Sequence, residues 1–166
     1  LFERRAAGRI DSASLARCLD MIRGFIVRRF VCNETSRPYA RIFVQAAGKD
    51  GESPEEALRE FLLERGWPDD RRFERAFAEF PLYGRAYARE IVVALERARR
   101  HKEPADLTSA QVEHIMPQTL SDGWMQDLGP EADRVHADWL HRPGNLTLSA
   151  YNQELWNHRF SVKREQ

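Results

Sequence analysis

The run Val112-Glu113-His114-Ile115-Met116-Pro117-Gln118 decides how this chain is read. It is short and β-prone, and it ends on an acid, a histidine and a turn closed by proline. A second β-prone run, Gly144-Asn145-Leu146-Thr147-Leu148, opens with Gly-Asn. A third piece, Tyr151-Asn152-Gln153-Glu154-Leu155-Trp156-Asn157, is helix-prone and carries asparagines after a turn, and Phe160-Ser161-Val162-Lys163-Arg164 trails it. A strand, a returning strand and a helix would bring Glu113, His114, Asn145 and Asn152 to one point.

Those residue types suit hydrolysis of a phosphodiester at a single metal ion. The reaction needs a water nucleophile, a base to take its proton, and positive charge to stabilise the oxyanion and the leaving group. A histidine titrating near neutrality fits the base, so His114 is expected in that role. A carboxylate and an amide oxygen are hard ligands for Mg²⁺ or Mn²⁺, which keep several waters and leave room for phosphate. Glu113 and Asn152 are the expected ligands, and the ion would act as a Lewis acid.

At these residues the sequence resembles the HNH (ββα-metal) endonucleases. The likeness is greatest to the carboxy-terminal nuclease domain of GmrSD-type, modification-dependent restriction enzymes, a family that includes nucleases of phosphorothioate-linked phage defence. It is carried by Glu113 to Gln118, Trp139-Leu140-His141, Gly144 to Leu148, Tyr151-Asn152, Asn157, Phe160 and Lys163-Arg164, and it extends upstream through Gly66-Trp67-Pro68 and Pro81-Leu82-Tyr83. The resemblance implies a general base at His114, an acidic metal ligand at Glu113, a loop-tying asparagine at Asn145 and a catalytic metal ligand at Asn152. It also implies double-stranded DNA, including phage DNA, as substrate, and a nucleotide-hydrolysing sensor domain or subunit outside this chain. His158 departs from the family pattern, which favours a small or basic residue there. The chain also ends at Gln166, soon after the Lys-Arg pair, where relatives continue.

Composition bounds the remaining choices. The chain has 166 residues, 42% of them hydrophobic, enough for one domain or for a helical subdomain beside a small nuclease motif. It starts at Leu1, as a piece of a longer protein would. No apolar run approaches the roughly 20 residues that span a bilayer, and no signal-peptide pattern opens the chain, so a cytoplasmic setting without membrane partners is expected. Cys18 and Cys32 form no Cys-x-x-Cys pair, which excludes a zinc-stapled motif and a disulfide framework. Formal net charge is zero, so any attraction to DNA must come from patches. Arg85, Arg89, Arg97, Arg99, Arg100 and Lys102 form one candidate, and Lys163-Arg164 another.

The expected fold is mainly α, with a helical amino-terminal subdomain (1–105) packed on a small ββα-metal motif (106–166). Residues 1–30 read as helix, with Asp11, Ser12 and Ser14 as capping candidates. Leu15, Leu19, Ile22, Phe25, Ile26 and Phe30 are its expected buried face, and Arg28-Arg29 lie opposite. Arg41–Ala47 fits either a strand or a helix start. Ser53-Pro54-Glu55-Glu56 is a strong helix start, and Gly66 closes that helix. Asp69–Phe77 and Tyr83–Arg100 follow as helices, the second with Tyr87, Ile91, Val92 and Leu95 as core. Between the two strands, a short helix is expected around Glu131–Leu140. His136 and His158 read as surface or capping residues, and His141, just before the Gly-Asn run, as either a phosphate contact or a residue that supports the site residues from behind.

Two readings compete with a DNA endonuclease. One is a helical DNA- or protein-binding module that keeps an inactive nuclease motif. The other is a metal-dependent nuclease acting on RNA or on structured DNA. The intact candidate ligands argue against an inactive motif, whereas the RNA or structured-DNA nuclease shares the site and differs in substrate.

Overall fold

The computed structural model describes residues 1–48, 53–100, 102, 106–149 and 158–163. Asn152 and Arg164 lie outside the described residues, as does the predicted third-motif helix. The chain divides into two compact units, Leu1–Phe77 and Ala78–Gln166.

The first unit is helical. Helices α1 (Phe2–Ala6) and α2 (Ser12–Val31) replace the single helix expected over residues 1–30. Gly8 at φ +69° breaks them, and the Asp11 carboxylate starts α2 by accepting from the Ser14 N–H at 2.6 Å. Helix α3 (Tyr39–Ala47) settles the ambiguous segment, and α4 (Pro54–Glu64) starts where expected, with the Ser53 hydroxyl accepting from Glu56 N. Helix α5 (Asp70–Glu79) is capped by Asp69, which accepts from Arg72 N at 2.8 Å.

The core joins α2, α3 and α4 through Cys18, Phe25, Ile42, Leu58, Phe61 and Leu62. Phe25 and Leu62 are fully buried, each worth roughly 1.5–3 kcal/mol of transfer free energy. Tyr39, Phe43 and Trp67 surround the Phe25 ring at centroid distances of 6.2, 6.4 and 6.1 Å. Arg17 and Glu55 tie α2 to α4 by a two-point ion pair, at 2.6 and 2.8 Å, which holds the Glu55 carboxyl down to about 2. Both thiols are free, and burial pushes each one up.

The buried face of α2 differs from the expected one. Leu19 is exposed, whereas Arg29 is 6% exposed and sits inside. The reason is a cage of carbonyls. One Arg29 terminal nitrogen donates to Arg65 O and Gly66 O at 3.1 and 3.2 Å, and the other donates to Thr35 O at 3.2 Å. The rings of Phe25 and Tyr39 cover its guanidinium. Gly66 is held at φ +83°, and a Cβ there would lie 3.2 Å from an Arg29 nitrogen. A helix end that points its last carbonyls inward needs such a donor.

The second unit holds the only sheet among the described residues. Strands β1 (Gln111–His114) and β2 (Leu146–Ser149) pair antiparallel, with Glu113 opposite Thr147 and His114 opposite Leu146. Helix α6 (Ala88–Ala98) lies against both strands and buries Ala88, Ile91, Val92 and Val93. The expected core residues Tyr87 and Leu95 are instead exposed, so the buried stripe is turned toward Val93. This places α6 in the unit of the sheet, upstream of the boundary expected at residue 105. Helices α7 (Asp122–Leu128) and α8 (Ala132–Trp139) fill the connection between the strands, and α9 (Phe160–Lys163) ends the described chain. The fold is thus mainly α with a small two-stranded antiparallel sheet, as expected from the sequence. No described helix is long and apolar enough to cross a membrane.

The Arg29 cage sets the first prediction. Arg29→Ala should destabilise the protein by on the order of 2–4 kcal/mol, because three inward carbonyls lose their donor. Arg29→Lys should recover only part of that loss, since an ammonium cannot reproduce the fork. Chemical denaturation of both variants measures it, and a wild-type midpoint for Arg29→Ala would refute the cage.

Candidate active site

The sheet ends on the residues that matter. His114 closes β1 and is 7% exposed, and Glu113 beside it is half-buried on the neighbouring position of the strand. Strand geometry sends successive side chains to opposite faces, so these two do not simply converge. Lys163 links them. Its ammonium lies close enough to both for its charge to act on each, and it donates to the carbonyls of His114 and Ile115 at 3.3 and 2.8 Å. Burial lowers the Lys163 pKa while the Glu113 carboxylate opposes that shift.

Asn145 holds the turn after His114. Its side-chain oxygen accepts from Met116 N at 2.6 Å, and its amide nitrogen donates to Met116 O at 3.0 Å and Leu140 O at 2.9 Å. Its own carbonyl accepts from Ile115 N at 2.9 Å. Asn145 stands in a short 3₁₀ turn, Pro143–Asn145, and β2 begins at Leu146, two residues after the start of the Gly-Asn run. A short amide reaches two backbone segments at once here. No aliphatic residue can do that.

His114 is neutral at physiological pH. Burial pulls its pKa down to about 4, and His141, Lys163 and His136 add repulsion in that order. Among the described residues its Nε2 is buried without a hydrogen-bond partner. An uncharged imidazole with a free ring nitrogen is the form that can take a proton.

The other predicted residues fall into place unevenly. His141 is exposed and its ring centroid lies 5.6 Å from that of His114. His136 Nε2 is 2.9 Å from Pro117 O and so ties α8 to the Pro turn. His158 contributes its carbonyl, which accepts from the Trp124 indole at 2.9 Å. Arg159 completes that junction by pairing with Asp127 at 3.2 Å and bonding Gln126 at 2.9 Å. In the basic patch, Arg89 donates to the carbonyls of Ala110, Leu107 and Thr108, and Arg99 pairs with Glu96. Tyr83 was not expected here at all. Its ring centroid is 4.1 Å from that of His114. Only the upstream likeness at Pro81-Leu82-Tyr83 hinted at it.

Among the described residues no group of three or more His, Cys, Asp or Glu side chains could hold a metal ion. Glu113 is the carboxylate next to His114 in β1, and a single carboxylate is compatible with Mg²⁺, which is bound through few protein ligands plus waters and phosphate.

A small sheet that presents a neutral, buried histidine beside a carboxylate and a lysine is a hydrolase-like arrangement. Comparison with known proteins gives the family. Residues 67–166, more than half of the chain, match the model of the C-terminal domain of GmrSD restriction endonucleases, and the chain belongs to that family. No curated protein and no solved structure matches the chain.

Asn145→Ala should cost about 2–3 kcal/mol, since it leaves a buried N–H and two carbonyls short of partners. Asn145→Asp should be nearly as harmful, because it replaces the amide donor with a second acceptor. Thermal melts measure both. A melting temperature unchanged in Asn145→Ala would remove it as the tie of the turn.

Proposed function

We propose that this chain is a metal-dependent, HNH-type DNA endonuclease, the effector domain of a modification-dependent restriction system that defends against phage. The observation that carries this reading is His114, uncharged and with a buried ring nitrogen that has no partner among the described residues, in a chain of the GmrSD family. Nucleotide hydrolysis by a sensor domain or subunit outside this chain would govern when cutting occurs.

In this mechanism His114 takes the proton of the attacking water, and the neutral state of the imidazole supports that role. Glu113 and Asn152 hold Mg²⁺ or Mn²⁺. When bound, the ion supplies Lewis-acid stabilisation of the phosphoryl group and the leaving oxygen. Asn145 keeps the His114 turn closed through its three side-chain bonds, so the base does not have to be ordered by the substrate. Lys163, Arg164 and His141 receive the phosphate backbone. The Lys163 ammonium has three N–H donors, and its two carbonyl bonds leave one for a phosphate oxygen, whose charge would also offset the burial of the ammonium.

His114→Ala should lower the rate of plasmid cleavage by about 10²–10⁴-fold, with melting temperature and DNA affinity close to wild type. Wild-type activity in that variant would remove His114 from the base role. If the wild-type chain fails to cut in any divalent metal, the binding-module reading gains instead, and preference for RNA over DNA would change the substrate class.

Asn152→Ala should raise the concentration of Mg²⁺ or Mn²⁺ needed for half-maximal cleavage, whereas Asn145→Ala should act chiefly through stability. A metal titration beside a thermal melt separates them. Identical behaviour of the two variants would defeat the division of labour.

A further inference from the structure

Tyr83 lies well upstream of the strand pair, yet its ring closes one side of His114. Its centroid is 4.1 Å from the His114 imidazole at an interplanar angle of 54°, and it stacks on His141 at 5.5 Å and 9°. The tyrosine is therefore packed against both histidines. Its own position is fixed from two directions. The N–H groups of Leu82 and Tyr83 both donate to the His141 carbonyl, at 2.8 and 3.2 Å, and Leu82 is fully buried. At the far end of the ring, the phenol oxygen accepts from Gln118 Nε2 at 3.3 Å, just beyond the Pro117 turn.

The His114 ring needs such a wall. The terminal torsion of histidine has broad preferences, so something outside the side chain must select its plane. Among the described residues no hydrogen bond at Nε2 does so. The Tyr83 contact is what restricts rotation. We propose that Tyr83 is a positioning residue for His114: its anchored ring holds the imidazole in the plane from which it takes the proton of water, a role that rests on the reading of His114 as the base. The effect of Tyr83 comes through the geometry of the base, where a small misplacement is costly.

The test compares Tyr83→Leu, Tyr83→Phe and His114→Ala in the full chain, by single-turnover cleavage at saturating DNA, by DNA affinity and by melting temperature. Tyr83→Leu should cut about 10–100-fold more slowly, with Kd for DNA within about twofold of wild type, and Tyr83→Phe should restore most of the rate. Wild-type cleavage by Tyr83→Leu beside an inactive His114→Ala would overturn the positioning role alone. Wild-type cleavage by His114→Ala would overturn the base reading and Tyr83's role with it. If Tyr83→Phe is as slow as Tyr83→Leu, or if the loss appears in Kd rather than rate, the ring is not the positioning element. A measurement on the wild-type chain guards against a Leu variant that does not fold. The imidazole protons of His114, assigned by their absence in His114→Ala, should show a ring-current shift in the aromatic NMR spectrum, and unshifted resonances would overturn the proposal.

Discussion

One side-chain amide organises the second unit. The Asn145 carboxamide meets Met116 N and O on one side and Leu140 O on the other, so the segment leaving β1 and the segment entering β2 are joined before the strands pair. Two four-residue strands supply little stability by themselves, and a lone pair of strands is marginal in water. The covering α6 adds apolar burial, but it does not define where the strands end. The amide does. Register follows from it, because the bond from Ile115 N to Asn145 O continues the ladder directly beyond the His114–Leu146 pair.

The charges of the unit are used in the same local way. Arg89 and Lys163 both turn toward backbone carbonyls, Arg89 on the connector before β1 and Lys163 at the end of β1. In each case a flexible basic side chain satisfies the acceptors of irregular backbone that no strand partner reaches. A chain with zero net charge has no excess of such groups. Cations tied to backbone carbonyls have fewer donors left for phosphate, and DNA would be met by few phosphate contacts rather than by a broad basic surface.

How much of this was legible follows from distance along the chain. The two strands, the cap at Asp11, the start at Ser53 and the helix after Glu131 rest on neighbours in sequence, and their patterns could be read directly. Asn145 was legible as a tie only through the family resemblance, since Gly-Asn before a strand would serve equally in an ordinary turn. The rotation of α2 was not. Arg29 is inside because carbonyls from Thr35, Arg65 and Gly66 converge on it, and no periodicity records where distant carbonyls point. Leu19 and Leu95 read as inward by their helical spacing, yet both remain exposed. Tyr83 escaped for a similar reason. Its contact with His114 joins positions separated by all of α6 and β1, and an aromatic residue before a helix looks like ordinary core.

Two buried nitrogens in this protein lack a protein hydrogen-bond partner, Arg29 Nε and His114 Nε2, among the described residues. They stand in different positions with respect to selection. The guanidinium of Arg29 makes three other bonds and is covered by two rings, so the group as a whole stabilises its unit despite one unmet donor. His114 keeps its imidazole neutral and its Nε2 unmatched, an arrangement that burdens folding by about 1–3 kcal/mol for an unsatisfied polar group. An apolar side chain of similar size at position 114 would relieve that burden. Laboratory evolution for thermal robustness, with no demand for cutting, would therefore drift away from histidine there, and its survival under selection for cutting would be a signature of use rather than of architecture.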